Sequence, residues 1–206
     1  MKRTISLIAF ATMAAMAGPF KVGGDASGAL FIPSFDPSTG ITTEIGFGGK
    51  IAPAVEYAIN DQFSFRGNVG YEYATYGGKQ DFMGSTITDD ATSQFLTLDL
   101  AAQYAFIPQA YAAIGVGYDI NLSSKIKESA TGFADTTFSM SGKKNPFFVT
   151  VGLGYKVTPD IAITAGYQFP ITNVDEDTGD NGNGTTTTQK VNFQTITLGI
   201  RYDYGL

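Results

Sequence analysis

Within GKIAPAVEYAINDQFSFRGNVGYEY, residues 49–73, four charged side chains flank the turn-like Asn60-Asp61-Gln62 and all stand at even positions: Lys50, Glu56, Arg66 and Glu72. Two carboxylates on one face suggest general acid/base work. The spacing argues for something else. A turn at 60–62 sets Ile59 against Phe63, so facing residues have numbers that sum to 122. Glu56 then opposes Arg66, and Lys50 opposes Glu72. A one-residue slip would exchange the two faces of the strand, and the next even sums leave all four charges without a directly opposite partner. Each glutamate therefore has a basic neighbour, and matched cross-strand ion pairs are a more economical reading than a carboxylate pair.

Other chemistries are restricted by composition. The chain contains no histidine, no cysteine and no tryptophan. This removes Ser-His-Asp catalysis, histidine-ligated zinc, thiolate chemistry and an imidazole switch. The stretch NVDEDTGDNGNGTTTT, residues 173–188, places Asp175, Asp177 and Asp180 among asparagines and glycines. Oxygen-rich loops of this kind are weak calcium candidates. The EF-hand spacing and its closing glutamate are missing, so a solvated loop is the plainer reading. No cofactor site is expected.

Those charges must be carried by strands, because alternation with a period of two recurs along the chain. Eight strands are expected at about 20–31, 44–59, 63–76, 94–106, 110–122, 145–157, 161–172 and 190–204. Connections of three residues at 60–62, 107–109 and 158–160 alternate with long polar ones at 32–43, 77–93, 123–144 and 173–189. Short turns between sequential strands mean antiparallel hairpins, and strict alternation gathers every short turn at one end. Each strand has 11 or more residues, against about 9–11 needed for a tilted membrane strand. One face of each strand is large and apolar, such as Leu96, Leu98 and Leu100, or Ile196, Leu198 and Ile200. The other is small or charged: Gly115, Gly117, Gly152, Gly154, Lys21, Asp25, Glu44, Asp99, Asp119, Lys156, Arg201 and Asp203. Small residues suit the inside of a narrow eight-stranded barrel, so the apolar face belongs to lipid. The expected fold is all-β: an eight-stranded antiparallel up-and-down transmembrane barrel with short periplasmic turns and long external loops. Its lumen would hold a charge network of Lys50, Glu56, Arg66, Glu72, Asp99, Lys156, Arg201 and Asp203.

The first residues, MKRTISLIAFATMAAMA, combine a basic start, an apolar core and a small-x-small site at Ala15-Met16-Ala17. Residues 1–17 are expected to be a cleavable signal peptide, and residues 18–206 the barrel domain. Cleavage would take the formal charge from −6 to −8, since Lys2 and Arg3 leave.

This combination of signal peptide, alternating strands, three tight turns, four long loops and a glycine-dotted charged lumen resembles the small outer-membrane barrels of the OmpA/OmpX-like superfamily. TITLGIRYDYGL, residues 195–206, looks like the aromatic-ended last strand recognised by the barrel-assembly machinery, although the chain ends in Leu206 and Tyr204 would fill the aromatic role. The resemblance implies residence in the bacterial outer membrane and contact with lipid and lipopolysaccharide. The 123–144 loop, with Lys125, Lys127, Lys143 and Lys144, would face lipopolysaccharide phosphates. Host or surface ligands would meet the loops. A monomer is expected, with no nucleic acid partner and no periplasmic domain after the last strand. Barrel enzymes that such proteins resemble use histidine, so no enzyme is expected. The leading expectation is a structural or surface-interaction role around a largely plugged lumen. The alternatives are a small pore and a soluble lipocalin-like carrier with its apolar face turned inward.

Overall fold

The computed structural model describes residues 19–36, 41–82, 85–130, 136–139, 145–173, 175–180 and 186–204. Its strands are β1 (Phe20–Asp36), β2 (Ile41–Ala58), β3 (Phe63–Phe82), β4 (Ser85–Ile107), β5 (Ala110–Ala130), β6 (Thr136–Ser139), β7 (Phe147–Lys156), β8 (Ile161–Pro170), β9 (Asp175–Asp180) and β10 (Thr186–Tyr204). Eight of them close a ring in the order β1-β2-β3-β4-β5-β7-β8-β10, and β10 pairs back onto β1. All pairings are antiparallel. β6 and β9 are short additions that pair with β5 and β10 beyond the ring.

Two of the three tight turns are set by local side chains. Asn60 Oδ1 accepts the backbone N–H groups of Gln62 and Phe63 at 2.9 and 2.8 Å. Thr158 Oγ1 accepts those of Asp160 and Ile161 at 3.3 and 3.0 Å. Asn and Thr at the first turn position satisfy backbone donors that the ladder leaves over. The turn between β2 and β3 therefore closes with the Ile59 N–H donating to the Phe63 carbonyl. Downstream register has Glu56 opposite Arg66 and Lys50 opposite Glu72.

The outer face is apolar between two aromatic belts. Phe20 stacks on Tyr57 and Phe63 on Tyr104 near the tight turns, with ring centroids 4.9 and 4.8 Å apart. Tyr118 meets Phe147 at 4.5 Å and Tyr167 meets Phe169 at 4.4 Å toward the other end. Between the belts stand exposed Ile51, Val69, Leu100, Ile114, Leu153 and Leu198. Such a band on a closed ring is the surface that hydrocarbon covers. The apolar face therefore does not turn inward, as a soluble carrier would require.

The strands outrun the apolar alternation. β4 has 23 residues and β5 has 21, so much of 77–93 and 123–130, expected as loop, is ladder. Residues 32–36, 41–43 and 186–189 are likewise strand. Loss of apolar alternation marks where lipid ends. The hydrogen-bonded ladder goes on into water, where both faces tolerate polar residues. A register shift between Glu44 and Phe47 breaks the phase of β2. Glu44 consequently leaves the lumen-facing charges and pairs with Lys79 at 2.5 Å, with both side chains exposed. By contrast β7 and β8 have 10 residues each and form the low part of the wall.

Candidate functional site

The lumen side chains stand in layers. The lowest is ionic and is organised by Arg66, only 4% exposed. Arg66 forks onto Asp25 of β1, with Nε to Oδ2 at 3.1 Å and Nη2 to Oδ1 at 3.0 Å. Its Nη1 donates to Asp203 Oδ1 of β10 at 2.6 Å and stands 3.6 Å from Glu56 Oε2. Arg201 completes the layer. Its Nε donates to Asp203 Oδ2 at 2.8 Å, and its Nη1 donates to Gln103 Oε1 and to Tyr111 Oη, both at 2.9 Å. Its Nη2 pairs with Glu56. Glu56 Oε2 takes no aligned hydrogen bond; the charge of the two guanidiniums holds it. A planar fork with five donors suits this shared, many-partner geometry better than an ammonium would.

Higher in the lumen Lys50 Nζ donates to Asp99 Oδ2 at 2.5 Å. This corrects the expected Lys50–Glu72 ion pair. The two residues are opposite in backbone register, but the ammonium reaches over to β4, with Glu72 and Asp119 within electrostatic reach. A barrel interior converges side chains from several walls, so the nearest strand partner is not the nearest charge. Buried oxygens remain unpaired around this level: Asn68 Oδ1, Thr97 Oγ1, Asp99 Oδ1 and Asp119 Oδ1.

The uppermost layer is aromatic, and the sequence reading missed it. Phe31 and Phe95 are fully buried and pack with Ala29, Ala74, Tyr76, Ala91 and Phe193. Phe193 meets Phe31 edge-on at 5.6 Å and Tyr76 at 5.0 Å. Tyr76 Oη reaches Ser93 Oγ at 3.2 Å, and Ser93 reaches Ser124 Oγ at 2.9 Å. A usable signal was present: following the lumen phase upward from Asp25, Glu72, Asp99 and Arg201 lands on Phe31, Tyr76, Phe95 and Phe193.

Of the expected network, Glu56, Arg66, Arg201 and Asp203 come together with Asp25, while Lys50, Asp99 and Glu72 form a separate higher group. Lys156 joins neither and lines the mouth at the tight-turn end. Asp175, Asp177 and Asp180 lie on β9, where the side chains are outside the described residues. Among the described residues, no group of three or more carboxylates is spaced to hold a metal ion.

Two lumen glycines make room for rings. A Cβ at Gly154 would collide with the Tyr111 ring, and one at Gly117 with the Phe148 ring. A closed ring, a lipid-facing band and a lumen lined with polar and charged side chains are now all in place, and the sequence family agrees with them. The model of the outer membrane protein beta-barrel domain matches residues 4–204. The chain belongs to that family. It is a bacterial outer-membrane β-barrel protein, set in membrane lipid. Three solved structures are similar to it. Ail, the attachment invasion locus protein of Yersinia pestis, in complex with the heparin analogue sucrose octasulfate, is 16% identical, with 90% of this chain and 99% of that chain covered and a TM-score of 0.48. Neisserial surface protein A is 17% identical over 91% and 98%, with a TM-score of 0.43. OprG from Pseudomonas aeruginosa is 10% identical over 91% and 96%, with a TM-score of 0.47. No curated protein matches the chain.

Proposed function

We propose that this outer-membrane barrel is closed to solutes at rest and works at the cell surface, in adhesion or envelope organisation, through its outward hairpins. The observation that carries this reading is the pair of side-chain layers in the lumen, the ionic one of Arg66 and Arg201 and the aromatic one of Phe31, Phe95 and Phe193. Two such layers across a narrow lumen favour recognition at the outside over passage through the middle. There β4 and β5 supply the surface. A membrane strand needs about 9–11 residues, so about half of the 23 residues of β4 project past the lipid band. Projecting ladders present side chains at fixed spacing, as an adhesive or lipid-contacting surface requires. Lys125 and Lys127 are exposed there and suit phosphate groups of lipopolysaccharide. The same reading has residues 1–17 removed on export, insertion by the barrel-assembly machinery, a monomeric state and no catalytic activity. With no histidine in the chain, a histidine-dependent barrel enzyme has no residue to use.

The test is direct. The mature chain is refolded in detergent, folding is checked by the mobility difference between unboiled and boiled samples, and current is recorded in a planar bilayer. A folded, silent barrel is expected. Discrete current steps from the unaltered protein would move its function to solute passage. At the cell level, a deletion strain with unchanged adhesion and envelope integrity would remove the surface role.

A small solute path is the second reading, and it has an observation of its own. The interior is not solid: separate cavities lie above and below the ionic layer.

A further inference from the structure

We propose that the tight-turn mouth of the lumen binds a small organic monoanion, a carboxylate carried next to an apolar group, between Lys21, Lys156 and the apolar lips of the turns. This inference goes beyond the surface role. It concerns the opposite end of the barrel and holds whether or not the lumen conducts.

The mouth is a cavity of about 850 Å³, within the range of about 300–1,000 Å³ usual for small-ligand sites. Its lining is divided. Lys21 of β1, Arg201 of β10 and Lys156 of β7 stand on one half of the ring. Ile59, Phe63, Phe106, Ile107 and Pro108 form lips on the other half, around the first two turns. Ile59, Phe106 and Ile107 are exposed there. Such a division suits a ligand with a charged head and an apolar body.

An anionic head follows from the charges. Lys21 lies opposite Glu56 in the β1–β2 register, yet Glu56 is held by Arg201 and Arg66. Lys156 lies opposite Ala162. Among the described residues neither ammonium has a carboxylate within ion-pair distance, although both lysines are half-buried. The ionic layer above sets three carboxylates, Asp25, Glu56 and Asp203, against two guanidiniums. The two lysines bring the cations to four, so one positive charge inside the mouth is left without a partner. The other carboxylate of the lining, Asp61, is exposed on its turn.

Arg201 decides what else the mouth offers. Its Nη1 donates to Gln103 Oε1 and to Tyr111 Oη, and a guanidinium has no acceptor to give in return. The Gln103 amide is thereby fixed with its oxygen on Arg201, and the Tyr111 oxygen is used as an acceptor. What remains is the Gln103 Nε2–H and the Tyr111 O–H. Both are donors, and neither has an acceptor among the described residues. Gln103 is 8% exposed and Tyr111 6%, and both line the mouth. Buried donors left over beside an unpartnered positive charge favour an anionic acceptor. A carboxylate supplies two oxygens to these donors and to the lysines, while its apolar neighbour is sheltered by the lips.

The test is calorimetric titration of the refolded barrel, in an uncharged detergent, with N-acetylphenylalanine. Saturable binding at a single site is expected, weakening as salt is raised. N-acetylphenylalaninamide keeps the shape without the charge, and acetate keeps the charge without the body. Each is expected to bind more weakly by about tenfold or more. Lys21→Gln and Lys156→Gln should each lower the affinity for N-acetylphenylalanine by about tenfold. Ile107→Ser should lower it too, while leaving acetate unaffected. Because neither lysine holds a partner, both lysine variants should keep the urea midpoint of the parent. An acetylated tripeptide ending in phenylalanine separates two sources of the same chemistry. Tighter binding than N-acetylphenylalanine points to the carboxyl end of a polypeptide, and equal binding to a free acid. Absence of saturable binding overturns the site. Equal binding of the neutral amide overturns the anion, and that comparison needs no variant to fold. Unchanged affinity in both folded lysine variants overturns their assignment. So does a lowered urea midpoint, which would make the lysines part of the ionic layer.

Discussion

Replacing Arg66 by methionine isolates what the ionic layer contributes. The substitution keeps an unbranched side chain and removes the fork that holds Asp25 at 3.0 and 3.1 Å and Asp203 at 2.6 Å. Arg66 is 4% exposed, while the side chains of its partners Asp25 and Asp203 are 22% and 13% exposed. Removing one member of a buried ion pair costs about 3–5 kcal/mol, because the partner charge is left uncompensated. The partial exposure of the two aspartates puts the expectation at the lower end, about 3 kcal/mol. With a urea dependence of about 1–3 kcal/mol per molar, the midpoint should fall by about 1–3 M. The assay is urea unfolding of the barrel in lipid vesicles, scored by gel mobility. An additional Glu56→Gln change should restore part of the loss, since it removes one orphaned charge. Lys79→Ala serves as the contrast. It breaks an ion pair of similar length to Glu44 that is exposed on both sides, and should leave the midpoint where it was. An Arg66→Met midpoint equal to that of the parent would refute the reasoning, and so would an equal effect of Lys79→Ala.

Three further expectations follow from particular contacts. Gly154→Ala forces a methyl group into the Tyr111 ring and should cost about 1–3 kcal/mol as overpacking, readable in the same urea titration; Tyr111→Ala in the same chain should relieve it. Phe31→Ala empties a fully buried ring site and should cost about 3–5 kcal/mol, lowering the thermal midpoint while Phe31→Leu lowers it less. On the projecting ladder, Asp89 opposes Glu128 across the β4–β5 pairing. Partial desolvation first, then the like charges of Glu128 and Asp90, hold the carboxyl of this surface residue above the ordinary range. A raised carboxyl favours the protonated hairpin, so the local stabilisation is complete below the ordinary carboxylate range and is lost as pH rises through the raised value. Amide exchange at Lys127 and Glu128, corrected for intrinsic rates, should therefore be better protected in acid, and Asp89→Asn should abolish the difference.

What was legible in the sequence is what depends on neighbours along one or two strands. The outward face reads directly because lipid demands large apolar groups at every second position, and the β2–β3 register follows from the turn at Asn60. The hidden features depend on convergence across the ring. Arg66 and Asp203 are 137 residues apart, and no pairing rule between adjacent strands connects them. The same limit explains why Lys50 chooses Asp99 over the opposite Glu72. The aromatic layer was hidden for another reason. A buried phenylalanine such as Phe95, one position from the lipid-facing Leu96, looks like part of a continuous apolar run unless the charge phase of its strand is followed upward. The external ladders were hidden because polar alternation on both faces carries little periodic signal.

The placement of Arg66 bears on how the ring is completed. Asp25 and Asp203 belong to the first and last strands, which meet at the seam with Asp25 opposite Arg201 and Gly23 opposite Asp203. Amphipathic patterning cannot proofread that junction fully. A slip of two residues keeps every greasy side chain outward, so lipid accepts the wrong closure as readily as the right one. The same slip moves one strand past the other by about 6.6 Å, beyond the span over which one guanidinium can hold Asp25 and Asp203 together. The ionic layer thus distinguishes between closures that the membrane treats as equal. That check acts only where β1 and β10 meet, a junction that lies outside the β2–β3 hairpin carrying Arg66.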